Sequence, residues 1–438
     1  MSRNMETSGS NRRVRYLIVG GGASGLGFAN FVGNQDYLIL ERDSELGGYC
    51  RTIRQDGFVW DYSGHFLHLR DTGIRDFFAA RTDPAQLFPV RKTTHVHFGG
   101  RLIDYPFQRN VHQLPSGQYL RCLASLLTAK RNLHPRNLAE NLEGQVGREI
   151  TRIFLRPYNE KLHQCALQDL APDALGRFFP AMTAWDAVRN AFQADNRSYN
   201  DAFMHPRTGI SYYIQGLLRD LDPARIRTGE ALVRVDLARR EATTSRGNTI
   251  AYEYLISSAP LPQTLAACGV AVPEGVFSHS KVLVLNLGFD RPGRIASHWI
   301  YFPEAKYVFY RVGSYDHLFS TDRLSLYVEC AFKPGDVVDV PAVKARVLEQ
   351  LREAEIVTDQ QLVSWHAVVM DPAYVHIRSE AEVLKPTLMA KLKAGGVHPI
   401  GRYGSWIYCS IEDNLIQARA LAAELGSVTG SGLRPEGT

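Results

Sequence analysis

The sequence predicts an α/β protein built on a Rossmann-like nucleotide-binding domain, with a helical domain and a second, sheet-containing domain attached. Three observations carry this. An apolar strand, VRYLIV at 14–19, runs directly into GGGASGLG at 20–27 and then a helical stretch to about Val32. A second apolar strand, YLIL at 37–40, ends in an acidic residue, Glu41. Helical periodicity then dominates 117–200, and strand-like segments fill most of the chain from about 230 onward.

Bulk properties narrow the function classes. The chain has 438 residues, 45% hydrophobic and 22% charged, which gives room for two or three globular domains. A net charge of +5 without a long basic run suits small anions and argues against nucleic acid as a partner. The six cysteines are far apart and form no CxxC pair, so neither a disulfide framework nor a zinc site is expected and a reducing cytoplasm fits. The first 13 residues are polar and lack the apolar core of a signal peptide. No run of 18 apolar residues occurs, so no membrane insertion is expected.

The glycines of GGGASG fall at Gly20, Gly22 and Gly25, the GxGxxG spacing. Gly20 allows the tight turn, Gly22 lets backbone approach a pyrophosphate, and Gly25 lets helix pack on strand. Ala23 and Ser24 open the helix, whose positive end faces the phosphates. Glu41 is placed to accept both hydroxyls of an adenosine ribose. A merely structural glycine turn would need no such strand, helix and acid together.

The next segment, RDSELGGYCRT at 42–52, adds Arg42, a second glycine pair at Gly47 and Gly48, and Arg51. That pair is not part of an NAD fingerprint. It resembles the ELGG…R extension of the FAD-binding amine oxidase and glutathione reductase superfamily, in which the second pair approaches the FAD phosphates. The strand YLISSAP and the late GR…ED stretch fit that superfamily too. FAD is therefore the expected cofactor. The expected FAD domain is discontinuous, at 14–104, 205–275 and 395–425. A helical substrate domain at 110–200, with a mobile loop near 177–200, and a sheet-containing region at 276–394 should close over the substrate.

Within that superfamily, six stretches in order resemble UDP-galactopyranose mutase, the eukaryotic type more than the shorter bacterial one. They are GHFLH at 64–68, YPFQRN at 105–110, YNEKLH at 158–163, NDAFMHP at 200–206, WIYFPEAKYVFYR at 299–311 and GRYGSWIY at 401–408. The resemblance covers roughly 14–423. It implies an isomerase, an intramolecular transferase of glycan or cell-wall biosynthesis, that interconverts the pyranose and furanose forms of a nucleotide-sugar such as UDP-galactose. It also implies FAD in the reduced state, maintained by an external reductant such as NAD(P)H. In the family, flavin N5 attacks the anomeric carbon and forms an N5–sugar adduct while UDP leaves.

The residue types suit that chemistry. A leaving diphosphate is best met by planar, permanently charged guanidinium groups. The resemblance assigns this clamp to Arg177 and Arg311. It puts the phenol hydroxyls of Tyr301, Tyr374 and Tyr408 on the diphosphate and sugar, and Tyr105, Phe107 and Gln108 around the uracil. Tyr158 and Asn159 resemble further nucleotide contacts, and His163 and Asn200 lie by the sugar. Arg402, Glu412, Asp413 and Asn414 fall where the family meets the flavin ribityl and diphosphate. Outside the resemblance, an arbitrary arginine is usually a surface ion pair and a strand tyrosine usually core or sheet surface.

The two histidines of GHFLH could suggest a metal. DYSGH reads as a glycine-containing turn and offers no third ligand, so no metal is expected. The resemblance instead puts Gly64 and His65 on the flavin face, where an imidazole can hydrogen-bond or trade a proton as the flavin changes state. His68 reads as structural. Two positions depart from the family: His163 stands where it usually has tryptophan, and Glu412 where it has asparagine. These differences leave the sugar and the nucleotide open. The alternative reading is an FAD-dependent oxidase or desaturase of the amine oxidase and protoporphyrinogen oxidase group. That group shares the glycine motifs but needs neither paired diphosphate arginines nor a YPFQ nucleotide segment. A non-enzymatic flavoprotein that binds a nucleotide-sugar is the third reading. The sequence leaves oligomeric state open, a homo-oligomer included.

Overall fold

The structure, a computed structural model, describes residues 12–33, 35–64, 67–130, 132–176, 185–186, 189–190, 202–294, 297–319 and 321–427. His65, Arg177 and Asn200, and most of the loop expected near 177–200, lie outside these residues.

Two seven-stranded sheets organise the described chain. The first grows from Arg12–Val19, whose apolar second half is buried on both faces, as parallel strands between helices require. It pairs in parallel with Tyr37–Leu40 on one side and Thr249–Ser257 on the other, Leu17 lying opposite Leu38 and Leu255. The order is Leu232–Asp236, Glu241–Thr244, Thr249–Ser257, Arg12–Val19, Tyr37–Leu40, Ile226–Arg227. Val397–Pro399 adds in parallel beside Leu255–Ser257. The helices Ala23–Val32, Ser211–Leu218 and Ile411–Ser427 cover one face through Phe28, Ile214, Leu415 and Ala418.

The second sheet runs in the order Leu362–Val375, His279–Phe289, Ser325–Phe332, Arg311–Ser314, Trp299–Tyr301, Thr94–Phe98, Arg101–Asp104. Its pairs are antiparallel except Trp299–Tyr301 against Thr94–Phe98. This corrects one expected boundary. Residues 94–104 were assigned to the nucleotide-binding part, yet both of their strands belong to the second sheet. Their parallel partner is about 205 residues away in sequence, and no local pattern announces such a pairing. A second difference is smaller. ATTSRGNTIAYE is a hairpin turning at 245–248, and its later half continues through YLIS as one strand.

A third layer holds the helices Ser116–Leu127, Leu138–Ile150 and Arg156–His163. A π-helical turn at Thr151–Leu155 leads into the last of them. With it, Phe154, Tyr158 and Leu162, and beside them Leu155, Asn159 and His163, recur at four-residue spacing and share one helix face.

Asp61 joins the first part of the chain to the second sheet. Its carboxylate accepts from Thr52 Oγ1 at 2.6 Å and the Ile210 N–H at 3.0 Å. Its carbonyl accepts from Tyr315 Oη at 3.1 Å and Asn286 Nδ2 at 3.3 Å. Burial pushes the Asp61 acid up from 3.8 to about 7, against the lowering pull of Thr52, Ile210 and Arg54. The folded state therefore holds this proton more tightly than the unfolded chain. The Asp61 contribution to stability is greatest below the unfolded pKa and is lost as pH rises towards about 7. Asp61→Asn keeps the acceptor oxygen and removes the titration. It should flatten the pH dependence of Tm between pH ~4 and ~7 and raise Tm by a few degrees above that window. A variant profile parallel to the wild type, measured by calorimetry, would contradict this.

Candidate active site

One continuous cavity of about 580 Å³ opens at the carboxyl ends of the first sheet's parallel strands, where Val19, Leu40 and Ser258 line it. That is where ligands bind in open α/β sheets, and the volume is typical of a cofactor or small-molecule site. The cavity then runs between the second sheet and the face of the Arg156–His163 helix.

At the sheet end two glycine segments face each other. Gly20 sits at φ +99°, a conformation an L side chain rarely adopts. A methyl group on Gly25 would lie 2.0 Å from the Gly20 carbonyl oxygen, so only hydrogen fits where helix meets strand. Gly47 donates its N–H to the Gly21 carbonyl at 2.8 Å, and a Cβ built on Gly48 would come 3.5 Å from the Gly22 Cα. Main chain thus meets main chain with no side chain between, and Gly20, Gly22, Gly47, Gly48, Ala23 and Ser24 line the cavity. The first turn of the Ala23–Val32 helix carries no acidic residue, so its positive end is left for an anion. Glu41 is 7% exposed and lines the cavity; its carboxylate accepts from the Gly21 N–H at 2.7 Å and the Asp43 N–H at 2.9 Å. Each carboxylate oxygen keeps a lone pair, so Glu41 holds the loop and can still meet a ribose. These residues fit a dinucleotide pyrophosphate.

A second helix end closes the same region. The Glu412 carboxylate accepts from the N–H groups of Arg70 and Asp71, and Asn414 Oδ1 accepts from the Arg402 N–H at 2.7 Å. Both residues line the cavity, as does Gly64. The Arg402 guanidinium lies 4.6 Å from the ring centre of Tyr408 and 5.3 Å from that of Tyr374. Its Nη1 donates to the Cys409 carbonyl at 3.4 Å, and among the described residues no carboxylate stands within ion-pair distance.

The far end is a cage of phenols. Tyr105 and Tyr301 meet at 5.4 Å between ring centres, Tyr301 and Tyr158 at 5.0 Å, and Tyr374 and Tyr408 at 6.3 Å. Burial raises Tyr158 and Tyr301 well above 10 and pushes Tyr105 and Tyr374 up to about 12. These four hydroxyls are protonated donors at neutral pH. Arg311 lines the cavity beside them. Its Nε and Nη2 grip Glu329 at 2.5 and 2.7 Å, a pairing set by strand register. Burial pushes the Glu329 acid up, but Arg311 and Ser63 outweigh it, and its pKa lies below the ordinary value. Nη1 of Arg311 has no protein acceptor among the described residues and is left for a ligand.

The predicted residues Tyr158, Asn159, His163, Gln108 and Arg42 also line the cavity. Four others do not. Phe107 is fully buried and stacks on Phe154 at 4.6 Å, and Phe154 takes the place in the wall. Gly25 lies beneath the turn. Arg51 turns back to brace its own loop, pairing with Asp43 at 3.0 Å. Asp413 caps its helix by accepting from the Ser410 N–H and Oγ, both at 2.8 Å. The wall also contains residues the sequence reading did not select: Lys92, Trp299, Tyr49, Tyr403 and Ser258. His68, read as structural, lines it too, with its ring edge-on to Phe203 at 5.2 Å. Trp299 had a signal, because it lies two residues before Tyr301 on the same strand face. So did Glu329, a lone acid in the apolar run LSLYVEC. Lys92 had none.

The Arg311–Glu329 pair predicts a large cost for breaking it. Glu329→Gln removes the charge and leaves a buried guanidinium uncompensated. Urea denaturation should show a loss of about 3–5 kcal/mol, and replacing both partners with apolar residues should recover most of it. Equal stability of wild type and Glu329→Gln would contradict the pairing.

Comparisons with known proteins agree with this architecture. Residues 18–80 match the family model described as an NAD(P)-binding Rossmann-like domain. The crystal structure of a reduced UDP-galactopyranose mutase is similar over 95% of this chain and 94% of that one, with TM-score 0.87 and 21% identity. A provisionally named protoporphyrinogen oxidase from Exiguobacterium sp. 255-15 is similar over 96% and 99%, with TM-score 0.76 and 17% identity. In sequence, 167 residues are 27% identical to the zeta-carotene-forming phytoene desaturase of Myxococcus xanthus; they make up 34% of this chain and 32% of that relative, so the chain spans about a third of its length. The chain carries a Rossmann-like nucleotide-binding domain within the α/β fold that such flavin-dependent mutases and oxidases share, as the sequence resemblance implied.

Proposed function

We propose that this chain is an FAD-dependent isomerase that interconverts the pyranose and furanose forms of a nucleotide-sugar of the UDP-galactose kind. One observation supports this above others. Beyond the glycine segments, the same cavity continues into a wall of phenol hydroxyls and two guanidinium groups, Arg311 and Arg402. A substrate bearing phosphates and hydroxyls suits such a wall, whereas a hydrocarbon substrate would leave its hydroxyls and guanidinium groups unpaired.

Gly20, Gly22, Gly47, Gly48 and the first turn at Ala23 and Ser24 would hold the FAD pyrophosphate, and Glu41 its adenosine ribose. Reduced FAD, replenished by an external donor such as NAD(P)H, would supply a nucleophilic nitrogen for the anomeric carbon. The chain's own residues do the rest. Arg311 offers Nη1 to the diphosphate, and its tie to Glu329 fixes the guanidinium plane. The hydroxyls of Tyr301, Tyr374 and Tyr408 donate to phosphate and sugar oxygens. Tyr105, Gln108 and Phe154 form the base pocket, with Tyr158 and Asn159 beside it. His65, Arg177 and Asn200 keep here the roles that the resemblance implies. Desaturase-type chemistry is the second reading, favoured by the sequence match to the phytoene desaturase.

The test is a turnover assay with and without dithionite, followed by chromatography of UDP-galactopyranose and a panel of other nucleotide-sugars. The proposal expects a product of equal mass only with reduced enzyme, and an Arg311→Lys variant about 100-fold slower in kcat/KM. Absence of any isomer, with peroxide released during oxidation of an amine or porphyrinogen, would favour the oxidase reading.

A further inference from the structure

The helices Ser116–Leu127 and Leu138–Ile150 pack closely, away from the cavity. The Glu149 N–H donates to Ser125 Oγ at 2.9 Å, and a methyl group on Gly147 would lie 2.6 Å from the Ser125 carbonyl oxygen. The first helix sends Cys122 and Leu126 into the core that the two share. Leu120, Ala124 and Leu127 follow helical spacing on its other side and are exposed, Leu120 to 63% and Leu127 to 76%. Leu133, in the connection between the helices, is 80% exposed. A single exposed leucine needs no explanation, but three along one short stretch make an apolar stripe that packing within the chain does not use. Charge flanks this stripe. Residues 116–152 hold six arginines and lysines against three glutamates, which is +3 of the chain's net +5. Arg121 and Arg152 reach Glu149 at 3.6 and 2.7 Å, Arg148 reaches Glu143 at 3.6 Å, and Arg136 pairs with Glu140. The four arginine side chains are 63–89% exposed, whereas the three glutamates are only 14–34% exposed. Guanidinium groups therefore stand outermost with the carboxylates beneath them, and Lys130 is exposed beside them.

We propose that this face docks on an anionic phospholipid surface, with Leu120, Leu127 and Leu133 entering the boundary between headgroups and acyl chains and the arginines meeting lipid phosphates. The chain lies on such a surface rather than across it, since no helix among the described residues is long and apolar enough to cross a membrane. Charge selects this occupant. A second copy of the chain, joined by a two-fold axis, would set the cationic layer against itself. A soluble anion would use the arginines and leave the leucines in water. The inference is independent of the chemistry proposed for the cavity.

The experiment is co-sedimentation of the full-length protein with phosphatidylcholine vesicles, with and without about 30% phosphatidylglycerol. Wild type should bind the anionic vesicles and not the neutral ones, and should lose most of that binding at about 0.5 M NaCl. The double variant Leu120→Gln/Leu127→Gln keeps helix propensity and charge. It should melt at the wild-type Tm, because both side chains are exposed, and bind anionic vesicles at least about tenfold more weakly. Arg121→Gln/Arg148→Gln should bind them about fivefold more weakly and with a shallower salt dependence. Wild type that stays in the supernatant with anionic vesicles overturns the proposal, as does equal binding to neutral ones. Equal binding by wild type and the leucine variant overturns it too, because charge alone would then account for the association. A dimer in sedimentation velocity that the leucine variant dissolves would make this face a contact between copies instead of a lipid-binding one.

Discussion

The site depends on one close contact of main chain with main chain. Gly47 donates to the Gly21 carbonyl, and Gly22 and Gly48 stand opposed with only hydrogen atoms between them. This contact fixes the loop at 42–51 against the strand–helix turn at 20–23 and leaves a groove lined by peptide groups. A side chain on Gly22 or Gly48 would intrude between the two segments, and one on Gly21 would collide with Leu46. It also sets where the rest of the cavity begins, because the hairpin Thr52–Asp61 follows directly and carries Asp61, Ser63 and Gly64 to the second sheet.

A second constraint operates at the other end. Arg311 and Glu329 face each other across two antiparallel strands, with Ser63 bonded to the same carboxylate. A buried ion pair adds little net stability, but its directional bonds orient the guanidinium. The phenols around it are protonated at neutral pH in any case, and burial raises the pKa values of Tyr105, Tyr158, Tyr301 and Tyr374 further. Donors fixed along one cavity wall suit a ligand that carries a charged diphosphate.

The nucleotide end was readable because its determinants are local. GxGxxG, the following helix, Glu41 and the second glycine pair all fall within about thirty residues and obey turn, dipole and packing rules. The ligand end has no such grammar. Tyr105, Tyr158, Tyr301, Tyr374, Tyr408 and Arg311, which the structure brings to one cavity wall, were singled out only through resemblance, since a strand tyrosine or a lone arginine carries no local mark. Elsewhere local geometry keeps an expected residue off the cavity wall. The 3₁₀ turn at Phe107–Arg109 sends Phe107 into the core, Arg51 folds back to Asp43, and Asp413 is consumed as a helix cap. The pairing of the strands at 94–104 was not legible because their partner lies far away in sequence. Lys92 was missed for want of any pattern.

On the proposed reading, one cavity holds a flavin at the glycine segments and a nucleotide in the space beside it. Absorbance titration of the purified protein with UDP tests both halves at once. A bound flavin spectrum should shift saturably as UDP fills the neighbouring space. A protein without flavin, or flavin bands unmoved at any UDP concentration, would contradict it.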